Sequence, residues 1–335
     1  MARTVGLDLG TAYTRIWLDG KGIILRCPSA VAIDSRTHDI VAVGEQARVM
    51  LGKTPEDILA YRPLKDGVIA DFEAASGMVN EFFYNKHLSS LFNRPTVLIS
   101  TPYNITEVES LAVENAVFEA GARSVAQIPS VYAAAVGSGI NVSSPRGSMI
   151  VNIGAGMSEA AIISSCGIIA ARSLKVAGGK FDMAISSYLK KNMGILIGEG
   201  TAHKLKVGVG TALSSIDRGY MAVHGQNDRT KLPLSLEVHS SHVCEAIMPC
   251  IEAISRMILS TLESSPPEIV GDIYNYGFML SGGSALLPGL PEVLSKKTGL
   301  RVTVAKSPRD TVVMGLGTLI SRPYLYGDSP QYKTK

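Results

Sequence analysis

Residues 5–18 read VGLDLGTAYTRIWL, and residues 150–163 read IVNIGAGMSEAAII. Each stretch passes from an apolar run through Asp8 or Asn152 into a Gly turn with small residues, then into a second apolar run. Two β-hairpins with the same turn chemistry in the same order predict a duplicated α/β domain whose copies face one cleft. Working outward, residues 15–18 and 23–25 extend the first hairpin into a meander. Residues 149–153, 160–163 and 168–173 form a second. PTVLIS at 95–100 reads as a short buried strand. Helical spacing follows over 107–120, with Thr106 as N-cap. A long helical period covers 243–263 and is ended by Pro266-Pro267. Residues 278–280 form a strand that runs into SGGSALLPGL, a Gly-rich turn before a helix start. This alternation predicts an α/β fold with covered sheets.

The composition agrees. A chain of 335 residues with 46 % hydrophobic and 18 % charged residues can bury a sizeable core, which excludes a mainly disordered chain. No apolar run is long enough for a spanning helix. The start, MARTVG, enters a strand-like run directly, so no secretory leader is expected. With 32 basic and 29 acidic residues interspersed, nucleic acid is not an expected partner, while weak attraction to an anionic membrane is permitted. Cys27, Cys166, Cys244 and Cys250 have no CxxC spacing and are expected as reduced thiols.

The turns suggest a use. Gly10-Thr11 and Gly154-Ala155-Gly156 can each present backbone N–H groups to a phosphate, because Gly permits close approach. Thr11 and Ser158 add hydroxyls. Asp8 can hold Mg²⁺, directly or through water, since hard cations prefer carboxylate oxygen. Gly282-Gly283-Ser284 would lie where a nucleotide's base and sugar rest. Singly, each turn reads more readily as a structural β-turn; together, in this order, they favour a nucleotide. Neither a P-loop nor the dinucleotide fingerprint G-x-G-x-x-G after a strand is present.

From Val5 to about Leu319 the chain resembles the actin superfamily, and within it the bacterial actins of the MreB type. The resemblance rests on GLDLGTAYT, VGEQARVMLGKTPEDILAYRPLKDGVIADF, EAGARSV, KVAGGKFDMAI, IGEGTAHKLK, STLESSPPEIVGDI and LSGGSALLPGL. It implies an actin-like fold of two duplicated α/β domains, each with a small subdomain, and a nucleotide cleft between them. The expected boundaries are 1–146 for the first domain (small subdomain about 32–74, completed by about 312–330) and 147–311 for the second (small subdomain about 186–247). Residues 331–335 would be a loose tail. The resemblance also implies ATP or ADP with Mg²⁺, and homo-oligomeric, commonly antiparallel double filaments. These would lie in the cytoplasm at the inner face of the cell membrane, organise cell-wall synthesis and set cell shape. Membrane proteins of wall synthesis and a co-polymerising paralogue would be partners. Carried over residue by residue, the first phosphate turn is Asp8, Gly10, Thr11 and Ala12, and the second is Gly154, Ala155, Gly156 and Met157. Gly282, Gly283 and Ser284 form the base-side turn, and Lys206 contacts the nucleoside. Asp8 and Ser158 are the candidate catalytic residues.

The departures from the family pattern fall on the chemistry. Asn152 stands where the family has Asp, and Met157 where it has Thr. Pro129-Ser130 replace Glu-Glu, and His203 replaces an acid. The segment Gly179-Lys180-Phe181-Asp182 is altered, and Gln127 occupies an apolar position. Water positioning and base catalysis each contribute about 10²- to 10⁴-fold, so hydrolysis is expected to be impaired unless Glu159 or Asp182 compensates. The alternatives are a non-polymerising regulator that co-assembles with an active paralogue, and a genuine ATPase using those acids.

Leu91 and Phe92, flanked by Lys86, His87 and Arg94, match a family loop that inserts into lipid. Burying the pair would contribute roughly 3–5 kcal/mol per subunit on an anionic surface. His239 and His242 with Cys244 lack a fourth zinc ligand, and Ser240 or Ser241 is expected to cap the helix that follows. Tyr324 and Tyr326 are expected to pack locally.

Overall fold

The computed structural model describes residues 3–89, 94–326 and 333–334; Leu91 and Phe92 lie outside the described residues. In chain order the first half runs β1 (Thr4–Leu9), β2 (Tyr13–Leu18), β3 (Gly22–Pro28), β4 (Val31–Asp34), β5 (Ile40–Val43), α1 (Glu45–Met50), β6 (Ile58–Tyr61), β7 (Leu64–Lys65), β8 (Val68–Ile69), α2 (Phe72–Asn85), β9 (Thr96–Thr101), α3 (Glu107–Glu119), β10 (Ser124–Pro129) and α4 (Ser130–Gly137). The second runs β11 (Ser148–Ile153), β12 (Ser158–Ser164), β13 (Gly167–Leu174), α5 (Gly178–Met193), β14 (Ile195–Leu196), α6 (Glu199–Gly208), β15 (Tyr220–Asn227), β16 (Pro233–His239), α7 (Ser240–Glu263), α8 (Pro267–Tyr276), β17 (Phe278–Ser281), α9 (Leu290–Thr298) and β18 (Val302–Val304). Then come α10 (Thr311–Ser321) and β19 (Lys333–Thr334).

The duplication is one of topology. In the first sheet β1–β2–β3 is an antiparallel meander, β9 joins β1 in parallel, and β10 joins β9 in parallel. The second sheet repeats this with β11–β12–β13, then β17 and β18. Register carries the repeat down to single positions. Asp8 pairs with Arg15 on β2 and Ser100 on β9, while Asn152 pairs with Glu159 on β12 and Ser281 on β17.

Alternation sends one face of each sheet outward and one inward. Val5, Leu7 and Leu9 meet Met78, Phe82 and Val117 of α2 and α3. Met149, Val151 and Ile153 form one core with Phe181 of α5 and Ile251 of α7. Between the sheets lie α4 and α10, packed on Leu98 and Ile128 from one side and on Ile150 and Ile163 from the other. The glycines of α10 argue against a helix on propensity alone, but they let the helices touch. A Cβ on Gly137 would stand 1.8 Å from the Thr311 carbonyl oxygen, and one on Gly315 would stand 1.8 Å from that of Ala133.

Among the described residues three small sheets complete the molecule, β5–β4–β6, β14–β15–β16 and the two-stranded β7–β8. Arg62, just after β6, pairs with Glu199 at the start of α6, so the two halves also meet through an ion pair.

As expected, Thr106 caps α3, in a full capping box with Glu109. The cap of α7, however, is His239, whose Nδ1 accepts from the Ser241 N–H at 3.2 Å; Ser240 and Ser241 lie inside the helix. In the segment expected to be a loose tail, Lys333 and Thr334 pair antiparallel with Val125 and Ser124 of β10. Lys333 Nζ stands 2.9 Å from Glu114 Oε1. Gln127 donates to the same oxygen at 2.9 Å, which gives a polar residue at this apolar position buried partners. Tyr326 packs edge-on against Tyr132, 5.1 Å between centroids, whereas Tyr324 is exposed. The four cysteines are free thiols. Among the described residues no group of three or more His, Cys, Asp or Glu is placed to hold a metal ion, and no helix is long and apolar enough to cross a membrane.

Candidate functional site

The two hairpin turns meet. A Cβ on Gly156 would stand 2.4 Å from Thr11 Oγ1, 2.9 Å from the Gly67 nitrogen and 3.0 Å from Asp66 Cα. Thr11 Oγ1 accepts from the Gly67 N–H at 3.0 Å. Asp66 and Gly67, with φ of 50° and 84°, form the Asp-Gly turn joining β7 to β8. Met157 closes the contact, since a Cβ on Gly67 would lie 3.3 Å from its Cε. Three turns therefore converge at one point, and only Gly permits the approach.

The turn carbonyls are held by the protein. Ser29 Oγ donates to the Gly10 oxygen at 2.6 Å, and the Ser29 N–H donates to that of Ala12 at 3.0 Å. On the second turn, the N–H groups of Gly178 and Gly179 at the start of α5 donate to the oxygens of Gly154 (3.1 Å) and Ala155 (2.7 Å). Among the described residues no loop or side-chain acceptor meets the N–H groups of Thr11, Ala12, Ala155 and Gly156. Unmatched N–H groups on converging turns form an anion-binding concavity.

The third turn joins the second. Ser284 Oγ donates to the Gly154 oxygen at 3.0 Å. Gly282 has φ of 87°, and a Cβ there would stand 2.2 Å from the Ile153 oxygen, so the fold itself demands Gly. At Gly283 no described residue lies within 4 Å of where a Cβ would stand. Packing therefore does not explain why Gly283 lacks a side chain. Lys206 Nζ donates to the Gly178 oxygen at 2.6 Å and stands 2.8 Å from Asp182 Oδ1. That second contact is ionic rather than a well-directed hydrogen bond, since Oδ1 has no hydrogen-bond partner of good geometry. Burial pulls the Lys206 ammonium below its ordinary pKa, against the opposing pull of Asp182. His203 Nδ1 meets the other Asp182 oxygen at 3.3 Å.

The charged side chains at the end of the first hairpin are committed to one another. Asp8 Oδ2 pairs with Arg15 Nη1 at 3.3 Å, and Asp8 Oδ1 accepts from Ser100 Oγ at 3.3 Å. Burial raises the Asp8 pKa although Arg15 opposes it. Arg15 Nε also meets Asp310 Oδ1 at 3.2 Å, and Arg26 Nη2 meets Asp310 Oδ2 at 3.0 Å. In the second half, Asn152 Oδ1 accepts from Ser281 Oγ at 3.0 Å. Glu159, 3 % exposed, accepts from the Tyr103 N–H at 2.8 Å and from Ser130 Oγ. Burial pushes its pKa above the usual carboxylate range. Ser158, a candidate catalytic hydroxyl by sequence, is fully buried and donates to the Val176 oxygen at 2.6 Å, so its hydroxyl faces away from the turn.

Sequence reasoning missed Asp66-Gly67, Arg15 and Asp310. An Asp-Gly pair between short apolar runs was a readable hairpin signal, and hairpin register places Arg15 opposite Asp8. Nothing local marks Asp310. A groove lined by Ser187, Lys190, Asn192 and Arg229 lies by the opposite end of α5, away from these turns.

The family model described as MreB/Mbl protein matches residues 2–326. The cell shape-determining protein Mbl of Bacillus subtilis (strain 168) is 40 % identical over 319 residues, covering 95 % of this chain and 96 % of that protein. The crystal structure of MreB5 of Spiroplasma citri bound to ADP superposes with a TM-score of 0.90 at 32 % identity, covering 96 % of this chain and 97 % of that one. The same protein bound to AMPPNP gives 0.91 at 32 % identity, covering 98 % and 99 %.

Proposed function

This chain belongs to the MreB/Mbl family of actin-like cytoskeletal proteins, and from that premise we propose that it binds ATP or ADP between its hairpin turns and polymerises into filaments that organise cell-wall synthesis and cell shape. The observation that carries the reading is the contact of Thr11 with Gly156, which brings to one place four N–H groups that have no acceptor among the described residues. Phosphate oxygens are the acceptors such groups suit. Thr11, Ala12, Ala155 and Gly156 would hold the phosphates, while Gly283, Ser284 and Lys206 would flank the nucleoside. Calorimetric titration with ADP and AMPPNP, with electron microscopy of the chain with and without ATP, tests this. Saturable binding and nucleotide-dependent filaments are expected. Binding without filaments would favour a non-polymerising regulator, and no binding would remove the reading.

Hydrolysis in this proposal is slow. A general base must reach the water it activates. Pro129 and Ser130 offer no carboxylate, Glu159 is buried against Ser130 Oγ and the Tyr103 N–H, and Asp182 is paired with Lys206. Phosphate release is expected to be slow and to rise when Asp replaces Asn152 and Glu replaces Pro129; fast release from the parent chain would refute this.

Filaments of this chain would lie on an anionic membrane surface through Leu91 and Phe92, with Lys86, His87 and Arg94 beside them in sequence. Two apolar side chains bind weakly alone and strongly when repeated along a polymer. Vesicle co-sedimentation should fall for Leu91→Ser/Phe92→Ser; unchanged pelleting would exclude the loop.

A further inference from the structure

A polyphosphate site that recruits magnesium keeps carboxylate charge in reserve for the ion, because a hard dication is held by anionic oxygen, directly or through its waters. The equivalent positions of the two hairpins keep none. Asp8 faces Arg15 at 3.3 Å and accepts from Ser100. Among the described residues the other carboxylate on Arg15, that of Asp310, is shared with Arg26. Two carboxylates are thus matched by two guanidinium groups. In the second half the strand-end residue is Asn152, which carries no charge, and its oxygen accepts from Ser281. Its cross-strand neighbour Glu159 is buried, with oxygens that accept from Tyr103, Ser130 and Ser173. The donor set of the two hairpins does not fit a dication. It fits a site whose hairpin carboxylate is already neutralised by a side chain of its own.

We propose that this chain binds its nucleotide without requiring magnesium, the Arg15 guanidinium neutralising Asp8 so that the first hairpin keeps no free carboxylate for the ion. Arg15 suits the role. A guanidinium remains charged at any working pH and presents its N–H groups in a planar fork. It sits one cross-strand pair below the turn, at 15 % side-chain exposure, held by Asp8 and Asp310. The turns contribute backbone N–H groups, which no chelator removes. The inference rests on the nucleotide reading above and narrows the form of nucleotide accepted.

The test is calorimetric titration of the full chain with ADP and with AMPPNP, in excess magnesium and in EDTA. Dissociation constants within about fivefold of one another, a difference of about 1 kcal/mol, are expected, and a larger loss in EDTA overturns the proposal while leaving the nucleotide reading intact. Absence of binding in both buffers overturns that reading and the proposal with it. Arg15→Gln releases the Asp8 carboxylate and should make binding magnesium-dependent, with the loss in EDTA exceeding fivefold. Arg15→Lys should behave as the parent. Asn152→Asp adds a carboxylate without disturbing the Arg15 pairs, so it serves where Arg15→Gln fails to fold and should likewise create a magnesium dependence. If the variants that fold are as indifferent to EDTA as the parent, the supply of free carboxylate does not set the magnesium requirement and the proposal is overturned.

Discussion

Gly282 and Gly283 are adjacent, yet a methyl group on each should have opposite consequences. At Gly282 the backbone has φ of 87°, and a Cβ would stand 2.2 Å from the Ile153 oxygen and 2.5 Å from its carbonyl carbon. Both neighbours are backbone, so no rotamer change relieves the clash. Left-handed strain of about 1–2 kcal/mol and overpacking of about 1–3 kcal/mol together destabilise Gly282→Ala by about 2–5 kcal/mol. An unfolding entropy near 2.1 cal/mol/K per residue gives about 0.7 kcal/mol/K for this length, so Tm should fall by about 3–7 °C. Gly283→Ala meets no described atom within 4 Å. Losing unfolded-chain freedom should raise stability by about 0.4–1 kcal/mol, or about 1 °C in Tm. If a nucleotide lies against Gly283, the same methyl intrudes on a close contact and costs about 1–3 kcal/mol, which is about 5- to 150-fold in Kd. Thermal melts and titration with ADP read both quantities on the same samples. A Gly283→Ala chain that melts as expected but binds ADP with unchanged affinity would refute the placement of the ligand over the third turn.

Two further perturbations probe the frame around the cleft. Gly315→Ala puts a Cβ 1.8 Å from the Ala133 oxygen in the layer between the sheets; about 3 kcal/mol or more should be lost, lowering Tm by about 4 °C or more, and an unchanged melt would mean that α4 and α10 are not in that contact. Glu159 has its pKa raised by burial, so its ionisation opposes folding: its favourable contribution is complete below the unfolded carboxylate pKa and disappears as pH rises through the folded value. Glu159→Gln, which can still accept from Tyr103, should therefore gain in Tm relative to the parent as pH rises from 4 to 8, and parallel curves would count against a buried, unpaired acid.

Much of this was legible because it is written in backbone rules. The meanders, their equivalence and the three Gly turns follow from period-two alternation and from residues that permit close approach. Thr106 was readable as a cap because Glu109 stands three residues on. Elements whose reasons are tertiary were not readable. Helix α10 has glycines that propensity counts against, justified only by α4 on the other side of the contact. The hydroxyl of Ser158 was assigned to the turn, but alternation along β12 sends Glu159 to one side and Ser158 to Val176 on the other. Arg15 could have been paired with Asp8 by counting back from the turn. Asp310 could not, since it arrives from the far end of the chain.

The two hairpins have kept one geometry and changed its chemistry. Strand pairing, turn length and N–H groups with no acceptor among the described residues are common to both, and each strand-end residue accepts from a Ser on the parallel neighbour, Ser100 or Ser281. The cross-strand residue differs: a guanidinium opposite Asp8 in one half, a buried carboxyl opposite Asn152 in the other. In the proposed reading, what survives in duplicate is the part that would grip, built from backbone and indifferent to side-chain charge. What has diverged at the hairpins is the part that chemistry on a phosphate would need, a free carboxylate aimed at water or metal. Gripping and turnover would then be separable. Drawing two halves together around a ligand requires only the former, because a molecule that contacts both turns favours the closed arrangement by its differential affinity, whether or not it is later cleaved.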